Sequence, residues 1–277
     1  SNFYELEIRL ENISPKAVLT NPDLVEKISS DFASCLEHIL LITGPAPNIF
    51  DNETVIEGMA EQMGDDFPAR PLSGDTPLYL MYTSGSTRPP KGIVHSHRDM
   101  TGMLVSARWA LDLKADTVLW TDADPAWVTG TVYGAFAPWL CGVTNLVVGD
   151  HFTAANWYRA LETHRVTNWY TTPRVLRELM EAGNDLPTRF DLSALSHMCT
   201  VGAPLTPEMI YWSRDNLGRC PHDTWWMTET GIICIANLPG MDIKPGSIGK
   251  PLPGIDAAVL DDSGEAMPRL SLGELAL

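Results

Sequence analysis

Residues 82–92 read YTSGSTRPPKG, a run of small and hydroxylated residues followed by two prolines and a lysine. An apolar run at 78–81 leads into this stretch and Ile93-Val94 follows it, which predicts a strand, a tight loop and a second strand. Hydroxyls and backbone N–H groups in such a loop can bind phosphate oxygens, and Lys91 would add a positive charge. Loops of this composition are usually plain solvated turns, so the stretch predicts a phosphate site only together with other segments.

The stretch does not fit the Walker A loop, G-x-x-x-x-G-K-[ST]. Counted from Gly85, the position of the second glycine holds Pro90, and Gly92 follows Lys91 where Ser or Thr is required. The segment after the loop also predicts a strand, so no helix N-terminus would face the phosphates. These departures argue against P-loop kinases and ATPases.

The composition is that of a soluble globular protein, with 277 residues, 44% of them apolar and 19% charged. A net charge of −16 argues against a general affinity for nucleic acid or for an anionic membrane. The five cysteines form no C-x-x-C pair, which indicates buried reduced thiols in a cytoplasmic protein. The longest mostly apolar run, 132–148, contains glycine, proline and asparagine, and predicts a buried helix and a strand rather than a membrane span.

Beyond the loop, predicted strands and helices alternate, which favours an α/β fold with a mainly parallel sheet and helices on both faces. The predicted strands are 118–120, 146–148, 168–171, 197–201 and 222–225. The predicted helices are 98–112, 127–140, 153–164, 173–181 and 206–217, the last with Thr206 as its N-cap. Ligands of such sheets bind at the carboxyl ends of the strands.

Residues 1–73 are less regular, and we treat them as an αβ part that precedes the motif-bearing part at 74–277. Strands are predicted at 17–20 and 39–43, around a helix at about 22–37. The polar stretch 45–75, rich in Gly, Pro and Asp, predicts a surface excursion.

Three further motifs fall where predicted strands end or helices begin. Residues 223–231 read DTWWMTETG, in which the Glu229 carboxylate would be a hard ligand for Mg²⁺ carrying nucleotide phosphates. Thr228 could hydrogen-bond an α-phosphate. Residues 201–207 read VGAPLTP, by itself a generic strand-to-helix connection, and residues 127–130 read WVTG at the start of a predicted helix.

Taken together, the four motifs resemble those of the adenylate-forming enzymes, and WVTG with DTWW is similar to the acetyl-CoA synthetase branch. The adenylate-forming enzymes usually have Y-T-S-G-[ST]-T-G-x-P-K-G, and the acetyl-CoA synthetase branch usually has V-G-E-P-[IL]-x-P and D-T-W-W-Q-T-E-T-G. This chain departs at Arg88, Ala203 and Met227. Arg88 would stiffen the loop and add a cation near the pyrophosphate, whereas the other two changes would alter the polarity around the adenine.

The resemblance implies activation of acetate or another short carboxylate by ATP with Mg²⁺, giving an acyl-adenylate and AMP, and transfer of the acyl group to coenzyme A. It implies a catalytic set of Lys91, Thr228 and Glu229, with Glu229 as the Mg²⁺ ligand. The implied phosphate-binding residues are Thr83, Ser84, Gly85, Ser86, Thr87 and Lys91. The implied adenine-binding residues are Gly202, Ala203, Pro204, Asp223, Thr224, Trp225 and Met227. The implied acyl pocket is Val128, Thr129, Val201 and Trp226, where the Trp limits acyl length by its volume.

The resemblance covers about residues 75–277 and is weaker over 1–74. Both ends look cut, and the family normally continues to a ribose-binding Asp and a small C-terminal domain. We therefore expect a partial AMP-binding domain over 1–277 that binds adenine nucleotide weakly and needs that further domain for turnover. The alternative is a non-catalytic nucleotide-binding or interaction module, which the departures near the nucleotide would favour.

We expect several other polar residues to be exposed to solvent. His95 and His97 alternate along a predicted strand, so both are expected on one face, commonly the solvent face. Asp122, Asp124 and Asp150 are expected to be solvated charges at strand ends.

Overall fold

A computed structural model describes residues 3–64, 68–83, 90–149 and 151–277, with only the backbone for residues 3–5, 60 and 61. The chain divides into two compact units. Unit 1 comprises Ser1–Leu72 and Tyr82–Gly92, and unit 2 comprises Ser73–Met81 and Ile93–Leu277.

Unit 1 contains a parallel sheet in the order β1-β2-β3. Its elements are α1 (Phe3–Ile13), β1 (Ala17–Thr20), a 3-10 helix (Pro22–Lys27), α2 (Ser30–Ala33), β2 (His38–Leu41), β3 (Glu53–Val55) and α3 (Met59–Gln62). The predicted strands are present, but Leu19 in β1 is 58% exposed, whereas Ile39 and Leu41 in β2 are fully buried.

One prediction in unit 1 was wrong and another was incomplete. The single helix expected at 22–37 is a 3-10 helix and a short α-helix, because the Ser29 side chain accepts a hydrogen bond from Phe32 N and starts a new helix. The excursion expected at 45–75 contains a strand, β3. The Glu53 carboxylate holds the turn before β3 by accepting from the backbone amides of Asn48, Ile49 and Phe50.

The strand–loop–strand prediction is confirmed for the two strands. β4 (Pro77–Thr83) and β5 (Lys91–Ser96) pair with each other, and residues 84–89 between them lie outside the described residues.

The main sheet of unit 2 has the order β12-β11-β10-β9-β8-β6-β7. Its strands are β6 (Val118–Thr121), β7 (Thr144–Leu146), β8 (Asn168–Thr171), β9 (His197–Thr200), β10 (His222–Trp225), β11 (Ile235–Ala236) and β12 (Lys250–Pro251). The strands from β7 to β10 pair in parallel, and β11 and β12 add an antiparallel edge. A separate antiparallel pair is formed by β13 (Ala258–Leu260) and β14 (Glu274–Ala276). The strand predicted at 146–148 is shifted, and Val147 is 74% exposed.

The helices of unit 2 lie close to their predicted positions. They are α4 (Asp99–Ala110), α5 (Val128–Thr131), a π-helix (Val132–Phe136), α6 (Ala137–Cys141), α7 (Ala154–Thr163), α8 (Pro173–Glu181), a 3-10 helix (Pro187–Arg189) and α9 (Pro207–Leu217). Thr206 caps α9 as predicted, accepting from Met209 N. The helix predicted at 127–140 has a π segment because Pro138 has no N–H for the Gly134 carbonyl, which accepts from Asn145 Nδ2 instead.

The parallel sheet separates two apolar clusters, because neighbouring residues of a strand point to opposite faces. One cluster joins α4, α5 and α6 to the strands, and the other joins α7, α8 and α9. From the parallel strands, the first cluster contains the buried residues Leu119, Tyr170 and Cys199, and the second contains Trp120, Trp169 and Met198. The predicted α/β class with helices on both faces is confirmed.

Two composition-based expectations can be compared with the structure. Cys199 and Cys234 are buried free thiols, but Cys35 is exposed, so the expectation that the thiols are buried holds only in part. Within the described ranges, no helix combines the length and the apolarity needed to cross a membrane.

Candidate functional site

A cavity of about 320 Å³ opens where β9 and β10 end. Its lining residues are Gly202, Ala203, Pro204, Asp223, Thr224, Trp225, Trp226 and Ile248. Six of the seven residues predicted around the adenine therefore share one cavity. Met227 does not line it and is 43% exposed.

Asp223 forms a polar wall of this cavity. Its Oδ1 accepts from Thr200 Oγ1 at 3.1 Å and from the Thr224 backbone N–H at 3.1 Å. Burial raises the pKa of Asp223 to about 6, against the opposing effect of these hydrogen bonds. The carboxyl group is thus a fixed acceptor that can take up a proton in mildly acidic solution.

Trp127 brings the WVTG and VGAP segments together. Gly202 has φ +90°, and a Cβ atom there would lie 2.9 Å from Cη2 of the Trp127 indole. Only glycine combines this backbone conformation with so close an aromatic neighbour. The start of α5 and the end of β9 therefore share one surface.

The four residues predicted for the acyl pocket are all buried. Val128, Val201 and Trp226 belong to one apolar cluster. Thr129 is 1% exposed, and its Oγ1 has no hydrogen-bond partner within the described part of the chain. A buried hydroxyl without a partner is costly, and it is available to a bound polar ligand.

Trp226 is held by a buried hydrogen-bond chain. Its Nε1 donates to Tyr170 Oη at 3.1 Å, and that hydroxyl lies 2.7 Å from Thr224 Oγ1, which donates to the Thr200 carbonyl. The indole also packs edge-on against Tyr133, with ring centroids 5.0 Å apart. The orientation of Trp226 is therefore fixed by both polar and aromatic contacts.

Thr228 and Glu229 lie in a tight turn that follows β10. The backbone N–H groups of Thr230 and Gly231 donate to the Met227 carbonyl, and Thr230 Oγ1 accepts from Met227 N. Glu229 is exposed, and no described residue forms a hydrogen bond or ion pair with its carboxylate. This carboxylate can therefore act as a metal ligand.

His95 contradicts its predicted solvent exposure, because it is only 4% exposed. Its ring stacks on Tyr79, with centroids 4.8 Å apart, and its Nε2 lies 2.7 Å from the Thr228 carbonyl oxygen. His97 is half-buried. Because β5 ends at Ser96, His97 lies in the following turn, and the alternation expected to put both side chains on one strand face does not reach it.

Asp122 also departs from its prediction as a solvated charge. Its Oδ2 accepts from Trp157 Nε1, Trp169 Nε1 and Thr171 Oγ1 at 2.7–3.1 Å. Burial raises the pKa of Asp122 to about 6. Asp124 is exposed as predicted, and Asp150 lies outside the described residues.

The predicted phosphate-binding residues belong largely to another part of the chain. Thr83 ends β4 and Lys91 begins β5, both within unit 1, and Lys91 is exposed. Ser84, Gly85, Ser86 and Thr87 lie outside the described residues.

Three residues of the site were missed by sequence reasoning. Ile248 lies in an irregular segment between two glycines with positive φ, Gly246 and Gly249, where no periodic pattern marks it. Tyr170 is an ordinary aromatic residue of a predicted strand. His95 stood next to the loop motif, but its partners are distant in sequence.

Comparison with known proteins gives a consistent result. The model of the family described as AMP-binding enzyme matches residues 4–277. An acetyl-coenzyme A synthetase of Bacillus subtilis (strain 168) is 44% identical over 269 residues, which are 97% of this chain and 47% of that protein. An acetyl-coenzyme A synthetase of Nitrosomonas europaea is 42% identical over 74% of this chain and 33% of its own length.

A solved structure shows the same fold. The crystal structure of Brucella canis acyl-CoA synthetase matches with a TM-score of 0.91 at 27% identity, covering 99% of this chain and 50% of that one. The chain thus spans about half the length of the B. subtilis and B. canis proteins.

Proposed function

Because this chain belongs to the AMP-binding enzyme family, we propose that it forms the adenine-binding and acyl-binding part of an AMP-forming acid–thiol ligase. Its substrates would be ATP, acetate or another short carboxylate, and coenzyme A, in the cytoplasm. The observation that carries this proposal is the cavity at the ends of β9 and β10, which gathers Gly202, Ala203, Pro204, Asp223, Thr224 and Trp225. The similarity to acetyl-coenzyme A synthetases supports it.

The proposed reaction has two steps. A carboxylate oxygen forms a bond to the α-phosphorus of ATP as the bond to pyrophosphate breaks, giving an acyl-adenylate. The sulfur of coenzyme A, its thiol proton removed, then bonds to the acyl carbon as AMP leaves with the bonding electrons. The protein contributes mainly position and charge, through Lys91 and Thr228 at the phosphates.

Glu229 is the residue that would hold Mg²⁺. Its carboxylate is exposed and unengaged by any described residue, and oxygen ligands of this kind suit the ion, which is bound through a carboxylate and substrate phosphates. Bound there, the ion would neutralise charge on the nucleotide phosphates.

Adenine binding can be tested by filling the cavity. Ala203 is exposed at its rim, so A203F should leave the fold intact while it weakens AMP binding at least ~10-fold, equivalent to about 1.4 kcal/mol. Ala182 is equally exposed and does not line the cavity, so A182F is the matched control. Calorimetric titration with AMP decides the matter. Equal affinities for A203F and the unsubstituted chain would rule out this cavity as the adenine site.

The acyl pocket can be tested without turnover by titrating AMP esterified with alkyl groups from ethyl to hexyl. Trp226 leaves little room in a close-packed cluster, so affinity should fall as the alkyl group lengthens. In W226A the binding free energy lost for each added methylene should become smaller, by at most about 1–3 kcal/mol. An unchanged chain-length profile in W226A would show that Trp226 does not limit the acyl group.

A second candidate is a non-catalytic nucleotide-binding module. Met227 favours this candidate, because it stands where the acetyl-CoA synthetase motif D-T-W-W-Q-T-E-T-G has Gln, and it lies outside the cavity with an exposed side chain. The two candidates differ in acyl-adenylate formation by the complete protein, which hydroxylamine trapping with acetate and ATP would detect. Nucleotide binding without any trapped hydroxamate would favour the module.

A further inference from the structure

His95 connects β5 to the turn that carries Thr228 and Glu229. Its Nε2 lies 2.7 Å from the Thr228 carbonyl oxygen, and its Nδ1 lies 3.1 Å from Asp99 Oδ2. The ring is buried, whereas about a third of the Asp99 side chain is exposed. A single side chain therefore bridges the turn after β10 and the first residue of α4.

Both atoms that face the ring are acceptors. A backbone carbonyl can only accept, so Nε2 donates to it, and Nδ1 lies beside the Asp99 carboxylate. Asp99 is itself fixed, because its Oδ2 also accepts from the Ser96 backbone N–H at 3.0 Å.

The turn is shaped to accommodate the ring. Gly231 has φ +69°, and a Cβ atom there would lie 2.5 Å from His95 Cε1 and 2.7 Å from Nδ1. The ring also stacks on Tyr79 at an interplanar angle of 22°. The buried imidazole is thus in close contact with both an aromatic ring and a glycine that leaves room for it, and it cannot rotate away from the Thr228 carbonyl without repacking.

We propose that His95, oriented by Asp99, is a positioning residue that fixes the turn carrying Thr228 and Glu229 for binding of metal–nucleotide phosphates. This proposal rests on the proposed function, because that function gives the turn its role. It adds His95 as a residue that does not itself touch substrate. Adenine contacts in the 202–225 cavity do not involve His95, so its effect is confined to ligands that need the turn.

Two isosteric substitutions separate the two contacts. H95Q places an amide N–H near the position of Nε2 and can still donate to Thr228, whereas H95N places its amide near Nδ1 and cannot. The readouts are calorimetric affinity for Mg²⁺·ATP, affinity for adenosine, which has no phosphate, and hydrogen exchange of the 227–231 amides, of which Thr230 and Gly231 are bonded to Met227. H97Q is the control, since His97 is half-buried and lies in the turn that directly follows β5.

H95N should bind Mg²⁺·ATP about tenfold more weakly, with adenosine affinity unchanged and faster exchange at 227–231. H95Q and H97Q should stay within about twofold of the unsubstituted chain. Equal affinity and equal exchange in H95N and H95Q would overturn the proposal, as would an equal loss in both. If H95N does not fold, D99N replaces it, and unchanged exchange in D99N would overturn the proposal.

The same experiment distinguishes this inference from the proposed function. If the unsubstituted chain binds neither adenosine nor Mg²⁺·ATP, the proposed function fails. Hydrogen exchange then decides the positioning role alone: faster exchange at 227–231 in H95N but not in H95Q sustains it, and identical exchange refutes it.

Discussion

Removing the Tyr170 hydroxyl tests how the site is held in place. In Y170F, Trp226 Nε1 loses its acceptor at 3.1 Å, while Thr224 keeps its bond to the Thr200 carbonyl. The ring of Tyr170 and its edge contact with Tyr133 remain. A buried N–H left without a partner costs about 1–3 kcal/mol, so the free energy of unfolding should fall by about 2 kcal/mol.

The chain contains a matched control. Tyr158 is fully buried like Tyr170, but its hydroxyl has no hydrogen-bond partner among the described residues. Y158F removes the same atom without breaking a bond, so it should be neutral or slightly stabilising. Urea unfolding followed by tryptophan fluorescence gives both values under one condition.

A double-mutant cycle identifies the partner. In a W226F background no indole N–H is left to lose its acceptor, so adding Y170F should cost at least ~1 kcal/mol less than it does alone. Equal costs for Y170F and Y158F, or an unchanged cost in the W226F background, would refute the idea that this hydrogen bond fixes Trp226.

Three other outcomes follow from local features. G130A should destabilise the chain by about 2 kcal/mol or more, because a Cβ there would overlap the Asp124 carbonyl. A Cβ at Gly134 would meet only ordinary contacts, so G134A should be neutral or stabilising by up to ~1 kcal/mol, and thermal unfolding of both variants checks this. Burial lowers the pKa of His197 to about 4, so between pH ~6.5 and ~4 the folded state binds fewer protons than the unfolded state, and stability is lost as the pH falls through that window. In urea titrations the unsubstituted chain should therefore lose about 3 kcal/mol of unfolding free energy relative to H197Q by pH ~4, and parallel pH profiles of the two proteins would contradict this. Cys35 should react fastest with a thiol reagent in the native chain, because it is exposed while Cys199 and Cys234 are buried; peptide mapping after brief alkylation would show whether a buried thiol is modified first.

The sequence predicted the architecture well where periodicity is strong. Residues 168–171 and 173–181 were placed to the residue, because an apolar strand and a helix that begins with Pro173 leave few alternatives. It failed for β3, whose approach depends on the Glu53 carboxylate gathering three backbone amides. A side-chain contact of that kind leaves no periodic signal.

The site shows the same limit. Segments at strand ends were recognisable from their residues, and six of the seven residues predicted around the adenine share one cavity. His95 and Asp122 were misread because their exposure depends on residues far away in sequence, the Thr228 carbonyl for one and the indoles of Trp157 and Trp169 for the other. Local pattern carries no information on such pairings.

Strand β8 sets a limit on how this protein can be altered. Each of its four residues is buried, and each side chain hydrogen-bonds: Asn168 to the Leu111 carbonyl, Trp169 and Thr171 to Asp122, and Tyr170 to Thr224. None lines the cavity at the ends of β9 and β10. A library that diversifies substrate preference should therefore leave this strand untouched, because its tolerance to substitution should be among the lowest in the chain although it touches no proposed ligand. Variation in acyl selectivity is more accessible from the loops that follow β9 and β10 than from the strand beside them.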